Sequence, residues 1–189
     1  MYLELAEGRI DPARECLDHA LRLRRAMRDR RGVGMALLAV ALVETVSGEY
    51  AAAAQPLAEA RRLFRRAGDR WGLVSALWRT ADLAIAERRF DDAELALTQA
   101  RTVVGETERQ GWIAVTIATL GEVAKLRGDP PRARALFEQA RDHYAAGGSE
   151  PGVAAMEERM QSLAKDRQSG RKAAASRTAR TTTNRRRQS

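Results

Sequence analysis

The chain has 189 residues, enough for one domain with a sizeable core, and its 5% aromatic content with abundant Ala, Leu and Arg favours helices over strands. The formal charge of +8 would alone suggest a nucleic-acid partner, but residues 165–189 hold nine Lys or Arg against Asp166, while residues 1–164 hold 24 basic and 24 acidic residues and are neutral. The single cysteine, Cys16, excludes an intrachain disulfide; the acidic start MYLELAEGR is unlike a secretory leader; and the uncharged run Gly32–Val43 is short of the roughly 18–20 residues of a membrane span, so a cytoplasmic protein without a membrane partner is expected.

Taken in chain order, the predicted elements are helices near 11–28, 32–47, 50–67, 71–88, 91–108, 111–127, 131–145 and 152–165. They repeat every 40 residues. Ala13, Ala53, Ala93 and Ala133 fall in register, as do Leu17, Leu57, Leu97 and Phe137, and Ala20, Ala60, Ala100 and Ala140. Within a copy, Ala53, Leu57 and Ala60 stand at i, i+4 and i+7, one face of a helix. Small residues there admit a close neighbour, and the large residue fills the gap. Gly8, Gly48 and Gly128 share a turn position with Arg88 as the exception; Gly32, Gly72 and Gly152 share another with Trp112 as the exception. Glycine there tolerates the left-handed conformation that ends a helix, and Pro130 and Pro131 suit a first turn. Asp29 and Asp69 stand where a carboxylate can cap the following helix.

The run Ile117-x2-Leu120-Gly121-x2-Ala124-x3-Gly128-Asp129-x3-Ala133-x3-Phe137-x2-Ala140 resembles the tetratricopeptide repeat. The other copies are further from that pattern, with Val40-Ala41 and Thr80-Ala81 in place of Leu-Gly, and the period is 40 rather than the usual 34. The Asp-x-x-Gly links Asp29–Gly32 and Asp69–Gly72 look like the longer variety found in bacterial signalling regulators, where such arrays often follow an ATPase module. The resemblance covers about residues 8–165. It implies an all-α, right-handed α-α superhelix of about four helix-turn-helix repeats, residues 1–165, with a capping helix at 152–165 and a disordered basic tail at 166–189.

The same resemblance implies a non-catalytic protein-binding scaffold whose first-of-pair helices line a concave groove. Its partner-facing residues are expected to be Met35, Leu38, Leu42 and Thr45, then Trp78, Asp82 and Ile85, then Glu122 and Lys125. A lining that runs from apolar to acidic and mixed suits an amphipathic helix or a peptide with an apolar end and a basic end. The alternative is a nucleic-acid-associated protein whose Arg-rich tail binds weakly and without sequence preference. No catalytic, nucleotide-binding or metal-binding constellation is present in the sequence, so no enzyme activity and no cofactor are expected. His19 and His143 read as surface residues, Cys16 as a small core residue, and Trp71 and Trp112 as packing at the links. Residues 1–7 align with only the end of a first-of-pair helix, Leu3 matching Val43, Leu83 and Val123. Helix 11–28 is therefore expected to leave Leu17, Leu21 and Cys16 partly open, inviting self-association through the amino-terminal end or belonging to a longer chain.

Overall fold

The computed structural model describes residues 10–105 and 109–165. Among them lie eight helices and no strand: α1 (Ile10–Ala26), α2 (Arg30–Val46), α3 (Tyr50–Ala67), α4 (Arg70–Ala86), α5 (Phe90–Val104), α6 (Gln110–Leu126), α7 (Pro130–Ala146) and α8 (residues 150–165). From α1 to α7, each helix packs on the next in the chain, and α2 also packs on α4, the arrangement of a helical repeat. The amino-terminal stub and the basic tail at 166–189 lie outside the described residues.

The links follow from local chemistry. Asp29 Oδ1 accepts from the Gly32 amide at 2.8 Å and Asp69 Oδ1 from the Gly72 amide at 2.9 Å, satisfying donors that a helix start leaves unpaired. Asp129 caps α7 in the same way. Within the pairs, Gly48 and Gly128 take left-handed φ values of 81° and 79°; Arg88, in their register, adopts φ 59° without the freedom of glycine. The third link departs from the pattern. The helix expected over 91–108 stops at Val104 because the chain turns out at Gly105, and Arg109 stands where the capping aspartates stand, with no side-chain cap.

The repeated stripes are the core. Ala53, Leu57 and Ala60 are buried, as are Ala93, Leu97 and Ala100, and Ala133, Phe137 and Ala140. Bulk is traded across these contacts. Ala41 meets Leu57's cluster and Ala81 that of Leu97, but where the large residue is Phe137 the small one is Gly121. A methyl on Gly121 would stand 2.5 Å from the Phe137 ring. Likewise Phe64 lies against both Gly34 and Gly72; in the next copy Val104 replaces it, and Trp112 replaces the glycine. The last helix, α8, buries Met156 and Leu163 in the cluster around Phe137 and exposes Glu157, Glu158 and Gln161.

Two expectations for α1 are corrected. Leu17 and Leu21 are buried, packing with Val43 and with Val33 and Leu37 of α2. Cys16 is exposed. Arg25 pairs with Glu59 and Arg61 with Gln99, which fixes the flanks on which α1 meets α3 and α3 meets α5. Cys16, His19 and Leu23 lie on the flank of α1 that, 40 and 80 residues later, faces the preceding second-of-pair helix. On that flank Leu23 is half exposed.

Candidate functional site

The residues expected to line a groove sit on α2, α4 and α6, but they are not equivalent. Met35 is 49% exposed and open to a partner, whereas Leu38, four-fifths of a turn on, is only 5% exposed and belongs mainly to the core of α2, α3 and α4. Leu42 and Thr45 are half-buried, and the Thr45 hydroxyl is turned back to donate to the Ala41 carbonyl at 2.7 Å. Ile85 is half-buried beside Leu97 and Val123. The apolar character is thus concentrated at α2.

Both expected acids have internal partners. Asp82 Oδ2 lies 2.9 Å from Arg79 Nη1, one turn back on α4, and Glu122 Oε1 lies 3.2 Å from Arg159 Nε on α8. Burial raises the Asp82 carboxyl above its ordinary pKa, and Arg79 acts against that shift. Lys125 stands half-buried at the end of α6.

Trp78 has more partners than an open groove anchor would. Its indole N–H donates to Thr116 Oγ1 at 3.0 Å, and its ring stacks on Trp112 with centroids 4.8 Å apart. Trp71 meets Trp112 edge-on at 4.9 Å, and the Arg109 guanidinium lies 4.7 Å over Trp71. Thr116 is fully buried, and its hydroxyl donates a hydrogen bond to the Trp112 carbonyl at 2.8 Å. These residues lock α4 to α6. The packing role read for Trp71 and Trp112 is seen, and Trp78 shares it while still lining a cleft.

The edge of Trp78 reaches a cleft that sequence reading did not single out. It has a volume of about 570 Å³ and begins on α1 at Leu17, Ala20 and Arg24. It continues over Ala36 and Ala39 of α2, and opens into the expected groove at Met35, Leu42 and Trp78. The clue to it in the sequence is the 40-residue register: Leu17 and Ala20 repeat Leu57 and Ala60, the residues against which α2 packs. Among the described residues, no group of three or more His, Cys, Asp and Glu is placed to hold a metal ion, and no helix is long and apolar enough to cross a membrane.

No protein-family model matches the chain, and no match was found among curated proteins. Among solved structures it is similar to the crystal structure of BtubC (BKLC) from P. vanneervenii, with a TM-score of 0.69 and 18% sequence identity. The match covers 85% of this chain and 66% of that one, so this chain spans just under two thirds of BtubC's length. At that identity the likeness is one of fold.

Proposed function

We propose that the chain is a tetratricopeptide-like superhelix that works as a non-catalytic scaffold, binding a peptide or helix of another protein along its concave side. The observation that carries this reading is the continuous cleft of about 570 Å³ that joins α1, α2 and α4 and exposes Met35 beside Trp78. Concave apolar surface edged by a few polar groups is what a bound segment covers. The pairing of Asp82 and Glu122 with arginines leaves apolar contact at α2, rather than an acidic lining, as the main source of affinity. The 40-residue register supports the superhelical reading, and the fold likeness to BtubC is compatible with it.

The test is a peptide-display selection on the whole chain, repeated on Leu42→Asp and Ile85→Arg. Sequences that enrich on the parent should be amphipathic and should lose at least about tenfold in affinity on either variant, since each places a charge in the apolar lining. If nothing enriches, or if the enriched peptides bind the variants equally, the groove reading is wrong.

A further inference from the structure

We propose that the arginines gathered at the first two links form a docking surface for the phosphate backbone of a nucleic-acid duplex, held by charge and without sequence preference. This goes beyond the scaffold reading and uses a different surface of the molecule.

Residues 1–164 are neutral as a whole, but their charge is segregated. Residues 22–31 and 61–70 hold eleven arginines against Asp29 and Asp69, whereas the rest of residues 1–164 hold 13 basic and 22 acidic residues. The two segments lie side by side: Arg25 Nη2 is 3.5 Å from Glu59 Oε1, and Arg31 Nε is 3.0 Å from Asp69 Oδ2. Arg24 pairs with Asp29, Arg61 bonds Gln99, and Arg70 donates to the Val103 carbonyl. Arg22, Arg28, Arg30, Arg62, Arg65 and Arg66 are exposed and have no carboxylate partner among the described residues. None of these six lines the cleft. At 3.6 residues per turn, Arg62 and Arg66, with Arg22 forty residues before Arg62, fall on the side away from the buried Leu17, Leu57 and Phe64.

Two further observations mark the patch. Burial, and after it the charge of Arg65, hold the Arg61 guanidinium below its ordinary pKa, so like charges stand close without compensation. Arg28 holds a left-handed φ of 56° in the slot of Gly68 and Gly148, a conformation unfavourable to an L residue, and adds a charge where the repeat elsewhere has glycine. The chemistry of the patch selects the occupant. Protein partners are held largely by buried aromatic and apolar anchors. Leu23 and Met27 of α1 are exposed at the margin, but α3 exposes no large apolar side chain beside its arginines. A duplex backbone asks only for cations: it carries one charge per about 1.7 Å of axis, and guanidinium groups match phosphate oxygens in pairs. With about 6 Å between Arg62 and Arg66 along α3, and about 8–10 Å between the axes of adjoining helices, several arginines face one duplex together. Phe64, the one aromatic in the two segments, is buried, so unpaired bases find no stacking platform. A second copy offers few free acids in return: at the turn between α4 and α5, Asp91, Asp92 and Glu94 pair with Arg127, Arg89 and Arg132.

The probes are labelled duplexes of about 20 base pairs, one of DNA and one of RNA, titrated with the whole chain by fluorescence anisotropy at about 50 and about 200 mM salt. At least one should bind, and the tighter of the two identifies the source of the backbone. Arg62→Glu with Arg66→Glu should weaken that binding at least about tenfold at the lower salt and reduce the salt slope by about two, one for each lost phosphate contact. The milder pair Arg62→Gln with Arg66→Gln should act in the same direction by a smaller factor. Arg101→Glu with Arg134→Glu makes the same change in net charge elsewhere on the body and should cost less than about threefold, with helical circular dichroism kept in every variant. Equal losses with the two reversed pairs, or no loss with either, would assign the binding to overall charge or to residues 166–189 and overturn the proposal. It is overturned too if neither duplex binds, if a polyglutamate peptide binds as tightly as the duplexes, or if vesicles rich in phosphatidylserine bind while the duplexes do not.

Discussion

At the joint between α2 and α4 the bulky side chain belongs to the second-of-pair helix: Phe64 fills the space between Gly34 and Gly72, and the two first-of-pair helices come close. At the joint between α4 and α6 it belongs to the first-of-pair helix. Val104 takes the place of Phe64, Trp112 that of the glycine, and three indoles occupy the wider gap. The two joints have the same architecture with volume moved from one side of the contact to the other. What a repeat must keep constant is the filled space between helices, since interiors are close-packed, and not the residue at a given slot.

The most direct way to break the comparison is to empty the second joint. Trp112→Ala removes the ring on which Trp78 and Trp71 both rest, and should cost about 3 kcal/mol, the lower end for a large aromatic because Trp112 is half-buried. Denaturant unfolding measures it; a loss below about 1 kcal/mol would mean that the indoles merely cover the surface. The exchange of bulk is tested more sharply in α6 and α7. Gly121→Ala should cost about 2 kcal/mol by overpacking against Phe137. Combined with Phe137→Leu it recreates the Ala81 and Leu97 pair of the preceding copy. The double variant should then be more stable than the sum of the single losses by at least about 1 kcal/mol, and strict additivity would refute the exchange.

A smaller effect is expected at the turns. Arg88 holds a left-handed φ of 59° where its counterparts are Gly48 and Gly128, so Arg88→Gly should raise stability, by about 1 kcal/mol or less once the greater entropy of glycine in the unfolded chain is set against the relieved strain. A drop in melting temperature would show that the Arg88 contact with Phe90 matters more than the strain. The smallest effect concerns the links. The Gly32 amide, and then Arg24, hold the Asp29 carboxyl below its ordinary pKa, against the opposing effect of desolvation. A depressed carboxyl contributes stability that is fully present above the unfolded value and lost as pH falls through the folded one. Carboxyl titration by NMR should therefore find Asp29 ionised below the usual Asp midpoint, with amide exchange at Gly32 rising as it protonates.

Much of this was legible in the sequence because helix positions and core stripes are local. The 40-residue register places Ala53, Leu57 and Ala60 and their counterparts in the two following copies inward, with Ala20 on α1 only partly buried, and the caps at Asp29 and Asp69 need only three residues of context. What escaped depends on which helix lies opposite. Cys16 occupies the slot of the buried Ala96 yet is exposed, so the slot alone does not decide burial. Asp82 and Glu122 read as free acids, but Arg159 reaches Glu122 from another helix and Arg79 pairs with Asp82 one turn on along α4. The bond from Trp78 to Thr116 spans 38 residues, off the 40-residue diagonal along which the copies were compared.

The tryptophans have one more consequence. All three in the chain are gathered at a single joint, so the molecule carries an optical probe whose location is fixed. In an array where each copy touches only its neighbours, unfolding can start at one end and spread. Ultraviolet emission would then follow the α4–α6 seam alone, while far-ultraviolet dichroism averages over every helix. Melting curves recorded by the two methods coincide only if the copies unfold together. A dichroism loss that precedes the emission change would reveal unravelling from the ends of the array, without any added label.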